Sequence, residues 1–302
     1  MSINTSLIAS DKDSNKNEGK TTMTQEKTLK PKEILERTMD SAVVKAEGGF
    51  TKLLILGILA GGFIALAAEG SNMAAFNLFA NPETYGLGKV LAGSIFGTGL
   101  MLVVLAGGEL FTGNTMMLAA LCERRITAYR LLRNWLIVYG GNLIGSLMVA
   151  WMMAHSGLFN SGGEMLGAVT VNIAAYKVQL SFAQGFILGI LCNWLVCLAV
   201  WMAAGTESMV GKIFAIFFPI WLFITSGFEH SVANMYYIPA GIFANGLNPH
   251  FAQLVGLSEE ALNHLTWQGF FVNNLIPVTL GNIVGGGILV AMAYWLAYKK
   301  DS

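Results

Sequence analysis

His230 sits in the run Ser226-Gly227-Phe228-Glu229-His230-Ser231, inside a stretch apolar enough to lie at membrane depth. A charged residue at the bilayer centre costs about 2.5 to 3.5 kcal/mol even on the mildest insertion scale, so an ionisable group kept there points to a protein-enclosed polar route. An imidazole in such a route can exchange a proton near neutrality. A second carboxylate, Glu109, lies in an equally apolar stretch, and each glutamate is followed five residues later by an asparagine, Asn114 and Asn234. This symmetric placement predicts structural carboxylates that accept backbone N–H bonds at interrupted helix ends. A membrane-bound acid–base enzyme using Glu109, Glu229 and His230 is the competing reading, and product formation from a candidate substrate would reveal it.

Other chemistry finds little support. His155, His250 and His264 are scattered, no His-Glu-x-x-His run exists, and Cys192 and Cys197 are five apart, which makes a poor metal pair on a helix. No metal and no cofactor are expected. The nucleotide motif Gly-x-x-x-x-Gly-Lys-[Ser/Thr] is missing, which argues against a primary pump. A net charge of zero gives no reason to expect a nucleic-acid partner.

The elements that must hold these residues follow from composition. Of 302 residues, 54% are hydrophobic and only 12% charged, against about 25% charged in a soluble domain. The chain is read as an all-α membrane protein whose partner is the lipid bilayer. Residues 1–34 are polar and poor in aromatics, which predicts a flexible cytoplasmic tail without a signal peptide. Ile34, Leu35, Met39 and Val43, with charges between them, predict an amphipathic helix on the membrane surface over 35–48. Apolar runs then fall near 53–68, 90–121, 134–154, 180–204, 213–245 and 270–297, and six transmembrane helices fit them best within a channel domain of 49–298. Residues 299–302 form the C-terminus. Arg124, Arg125, Arg130, Arg133, Lys212, Lys299, Lys300 and the basic N-terminal region alternate onto one side, leaving only Lys89 and Lys177 on the other. Both termini are therefore expected in the cytoplasm.

Two runs are too long for plain spans, because 90–121 as one helix would extend about 48 Å across a core of about 30 Å. Each has a break at its middle, Gly107-Gly108-Glu109-Leu110 in the second and Ser226-Gly227-Phe228-Glu229-His230 in the fifth. The halves also repeat. Asn134, Val138, Gly141, Asn142 and Gly145 recur as Asn274, Val278, Gly281, Asn282 and Gly285 at an offset of 140, while Asn114 and Asn234 differ by 120. Three spans separate the copies, so the repeats run in opposite directions, and interrupted helices at matching places mark the transport site.

The motifs Gly108-Glu109-Leu110-Phe111-Thr112-Gly113-Asn114-Thr115, Leu191-Cys192-Asn193-Trp194, Ser226 to Met235 and Asn274 to Asn282 resemble the formate/nitrite transporter family of bacterial anion channels over roughly residues 35 to 298. The resemblance implies an aquaporin-like protomer in the bacterial inner membrane, assembled as a homopentamer with one pore per protomer. It implies apolar constrictions at Phe96, Leu100, Leu110 and Phe223, a polar centre of His230, Thr112 and Asn193, and Lys177 at the outer mouth. Asn193 instead bonding across helices is also open.

An unpaired carboxylate in a dry apolar slit faces a solvation cost of tens of kcal/mol, whereas protonating it from pH 7 costs roughly 3 to 5 kcal/mol. The expected function is passage of a small weak-acid anion, formate, nitrite or hydrosulfide, with His230 assisting by proton donation or by electrostatics. A neutral-solute pore of the aquaporin or ammonia-channel kind is the alternative, distinguished by ammonia conductance without formate or nitrite flux.

Overall fold

Apolar length decides the architecture. Six helices are long and apolar enough to cross a bilayer: Phe50–Phe79, Tyr85–Gly107, Ala128–His155, Phe182–Ala204, Met209–Ser226 and Gly269–Lys299. The computed structural model describes residues 28–299, and within them every regular element is helical. Most of the expected N-terminal tail, up to residue 27, and residues 300–302 lie outside the described residues.

The chain opens with α1 (Pro31–Glu47), started by a proline and by the Lys30 N–H donating to Glu33 at 2.7 Å. Its apolar face is covered by protein rather than lipid: Leu35 and Met39 have no exposure at all. The first span, α2 (Phe50–Phe79), runs well beyond the apolar stretch that ends at residue 68. Glu69 and Asn72 look like a helix boundary in the sequence. In the structure both are buried, and the Tyr236 hydroxyl donates to the Glu69 carboxyl.

The second span is α3 (Tyr85–Met101), continued by wide turns to Gly107, then a break, then α4 (Phe111–Asn114) and α5 (Leu118–Cys122). The third is α6 (Ala128–His155), whose Thr127 cap accepts from the Arg130 N–H. A helix that the sequence reading leaves as loop follows, α7 (Met165–Val178), too short to span and placed before α8 (Phe182–Ala204) as α1 is placed before α2. The fifth span, α9 (Met209–Ser226), breaks at Gly227 and resumes as α10 (Ser231–Leu247). The expected loop at 245–267 contains α11 (His250–Leu254) and α12 (Glu259–His264). The last span holds α13 (Ile276–Asn282) and α14 (Ala293–Lys299), joined by wide turns.

Glycine sets how closely the spans approach. A Cβ at Gly145 would stand 2.0 Å from the Ile58 carbonyl oxygen, and one at the matching Gly285 would stand 2.2 Å from that of Ile190. Thus α6 lies on α2, and the last span on α8, at backbone contact.

Candidate functional site

Both interrupted spans leave polar backbone at membrane depth, where it must find partners inside the protein. At the first break Gly107 takes φ +96°, and the Glu109 N–H donates to Leu56 O at 3.1 Å. Asn142 closes the gap. Its Oδ1 accepts from the Phe111 N–H at 2.9 Å while its Nδ2 donates to Gly57 O at 2.8 Å and to Glu109 O at 2.9 Å. At the second break Gly227 takes φ +79° and the Glu229 N–H donates to Leu188 O at 3.2 Å. Asn282 repeats the role of Asn142, accepting from Ser231 N–H at 2.9 Å and donating to Gly189 O at 2.8 Å and Glu229 O at 3.0 Å. One amide per break satisfies three backbone groups, which no apolar side chain could do.

The glutamates anchor matching ion pairs. Lys45 Nζ lies 2.8 Å from Glu109 Oε2, and Lys177 Nζ lies 2.6 Å from Glu229 Oε1. Asn114 and Asn234 each donate to their glutamate, at 2.7 and 2.6 Å, and each also donates to a third-helix asparagine, Asn134 or Asn274. Those asparagines return a bond to the lysine backbone, Asn134 to Lys45 O and Asn274 to Lys177 O. Two closed polar networks therefore flank the breaks, each tying a short helix, α1 or α7, to an interrupted span. Neither glutamate faces open space, and neither lysine is a free cation.

Between these networks Thr112 and His230 meet, with Oγ1 to Nε2 at 2.9 Å, both side chains buried. His230 is also the N-cap of α10: its Nδ1 accepts from the Ala233 N–H at 3.0 Å. That bond occupies the Nδ1 lone pair, so the neutral ring carries its proton at Nε2 and donates it to the threonine oxygen. The Thr112 hydroxyl hydrogen is left to be offered elsewhere. Asn193 stands behind the pair. Its Nδ2 is shared among Thr112 O, Thr115 Oγ1 and Asn282 O at 3.1, 3.1 and 2.7 Å, which makes it a ligament between helices.

Apolar side chains close the space on either side. The Phe96 and Phe223 rings meet edge to face with centroids 5.6 Å apart, and Phe223 lies over the His230 ring at 6.1 Å. On the α1 side a cavity of about 330 Å³, bordered by Arg37, Ser41 and Lys45, ends at Leu100 and Leu110. Phe96, Leu100, Leu110 and Phe223 are all buried. By the offset of 120, Leu110 is the repeat counterpart of His230, and Val232 that of Thr112.

The chain matches the formate/nitrite transporter family over residues 32–296. It belongs to that family. It is 41% identical to a probable formate transporter of Methanothermobacter thermautotrophicus over 274 residues, covering 86% of this chain and 93% of that one. It is 38% identical to the formate channel FocA of Escherichia coli K12 over 275 residues, covering 91% and 96%. A solved pentameric formate channel with formate bound superposes with a TM-score of 0.73 at 39% identity, covering 82% of this chain and 97% of that one. These relatives of the formate/nitrite transporter family are channels and transporters, and with its six apolar helices this chain is a multi-pass membrane protein.

Of the residues singled out in the sequence, the structure brings Thr112, His230, Phe223 and Phe96 together and sets Glu109, Glu229, Asn114 and Asn234 in the supporting networks. Lys177, expected as the basic residue at the outer mouth, is the ion-pair partner of Glu229 with 12% of its side chain exposed. Lys45 plays the same part in the other repeat and was not among the expected site residues. A signal for it existed: Gly57-Ile58-Leu59 recurs as Gly189-Ile190-Leu191 at an offset of 132, the same offset that carries Lys45 onto Lys177.

Proposed function

We propose that this chain forms a homopentamer in the bacterial cytoplasmic membrane, both termini inside, and conducts small monovalent weak-acid anions through a passage in each protomer. Formate is the first candidate, because the relatives named above are formate channels and transporters, one of them solved as a pentamer with formate bound. Nitrite and hydrosulfide share its size and single charge.

The observation that carries this reading is the Thr112 and His230 pair sealed between apolar gates. An anion reaching it from the Leu110 side or the Phe223 side has shed water, and a bare charge there is very costly. The hydrogen-bond chain runs from the Ala233 N–H to Nδ1, from Nε2–H to Thr112 Oγ1, and from the threonine hydroxyl to the anion. A second ring proton at Nδ1 would displace the Ala233 cap. This arrangement supports assistance by a polarised hydrogen bond, with any proton that accompanies the anion drawn from water in the vestibules.

The test is His230→Asn, since asparagine keeps a good N-cap for α10 while removing the Nε2–H. A hydrogen bond to a charged group contributes about 1.5 to 3 kcal/mol, so formate flux into proteoliposomes should fall roughly ten- to a hundredfold with the oligomer intact. Normal flux with unchanged pH dependence would remove His230 from the mechanism.

A further inference from the structure

Both lysines of the repeat are tied to glutamates, so neither Lys45 nor Lys177 offers free charge to an arriving anion. Lys89 is different. Among the described residues no carboxylate oxygen lies within 4.0 Å of its ammonium. The ammonium is held instead by the rings of Phe79 and Tyr85, at 5.9 and 5.6 Å from their centroids. It also stands 3.6 Å from where a Cβ on Gly227 would lie, at the C-terminal end of α9 whose dipole favours a cation. Gly227 has no side chain, so nothing of its own fills the space beside that charge.

The position on α3 gives this cation a direction. Lys89, Phe96 and Leu100 are spaced by seven and four residues, so they share one face of the helix, and Lys89 stands about 10 Å beyond Phe96 along the axis. Phe96 meets Phe223, which is four residues before Gly227. Both elements that form the aromatic constriction therefore carry Lys89 and Gly227 at its α7-side entrance.

We propose that Lys89 is the anion-capture site on that side: a small monovalent anion rests against its ammonium, beside Gly227, before entering the Phe96 and Phe223 constriction. This deepens the channel reading above and rests on it. The two rings and the helix end hold the ammonium in place without neutralising it, whereas an anion arriving at Lys177 would have to compete with Glu229 at 2.6 Å.

Formate uptake into proteoliposomes, measured across formate concentrations at low and physiological ionic strength, separates the outcomes. Wild-type half-saturation should rise when ionic strength goes from about 0.01 to 0.15 M, because salt screens the pull of the half-buried ammonium on an anion still in solution. Lys89→Met should raise half-saturation about five- to tenfold at low ionic strength and flatten the salt dependence, and Lys89→Arg should restore both. A Lys89→Met channel with wild-type half-saturation and wild-type salt dependence would overturn the capture site while leaving the channel reading intact. So would a wild-type half-saturation that ignores salt, a measurement that needs no substituted protein. Wild-type vesicles passing none of formate, nitrite or hydrosulfide would overturn both.

Discussion

Replacing Glu229 by glutamine removes one charge and leaves the shape almost unchanged, yet no orientation of the new amide suits its surroundings. With its oxygen toward Asn234 Nδ2, which donates to Glu229 at 2.6 Å, its NH2 faces the Lys177 ammonium across a 2.6 Å contact. Turned the other way, its NH2 faces the Asn234 NH2. The side chains of Lys177 and Glu229 are 12% and 2% exposed, so the lysine charge would be stranded in a dry site. Breaking such a pair from one side costs about 3 to 5 kcal/mol, which for a chain of this size means roughly 5 to 8 °C in melting temperature. The matching pair, Lys45 and Glu109, is 26% and 11% exposed, so Glu109→Gln should cost less. Lys177→Met combined with Glu229→Gln should recover part of the loss, since neither charge remains. The assay is the temperature at which half of the native oligomer peak survives in size-exclusion chromatography, read for wild type, both single variants of the pair and the double. A Glu229→Gln protein melting within about 2 °C of wild type, or a double variant showing only the sum of the singles, would refute the claim that this pair is buried and coupled.

Two further outcomes follow from the close helix contacts within each repeat and from α1. Gly145→Ala and Gly285→Ala would each drive a Cβ to within 2.2 Å of a backbone oxygen, so both should lower oligomer yield and melting temperature, by about 1 to 3 kcal/mol or more, while Gly140→Ala, which meets nothing within 4 Å, should not. Glu36 in α1 is held below its ordinary 4.5 chiefly by its bond to Lys299, against an upward pull from burial, with Arg125 lowering it further. A depressed carboxyl contributes its stabilisation fully above its unfolded value and loses it as pH falls through the folded one. The melting-temperature difference between wild type and Glu36→Gln should therefore be steady above about pH 5.5 and shrink on acidification; a difference that widens toward pH 4 would contradict it.

Some of the site was legible because asparagine and glycine leave few alternatives at membrane depth. A buried amide needs partners, so Asn142 and Asn282 recurring with their glycines signalled the same structural task done twice, and run length with Gly107 and Gly227 located the breaks. Lys45 was obscured because a lysine in an amphipathic segment looks like solvated charge, and only the folded chain brings it to Glu109 across 64 positions. The helix α7 was missed since its residues have neither the length of a span nor a clean polar face. Phe96, Leu100, Leu110 and Phe223 carry the signature of ordinary packing, and pattern alone cannot separate a gate from a core. For Asn193 the sequence leaves a place in the polar centre and a bond across helices both open, and its three partners in the structure are of the second kind.

Leu110 and His230 occupy equivalent positions in two halves built on the same scaffold. A protein with identical halves would hold two leucines or two imidazoles there, and Thr112 and Val232 differ as well, so the contact between Thr112 and His230 depends on both differences between the halves. The result is an asymmetric lining inside a symmetric frame: the polar pair is flanked by Leu100 and Leu110 on one side and by the Phe96 and Phe223 rings on the other. In the proposed anion passage, the opposing one-way rates at saturation therefore have no reason to be equal.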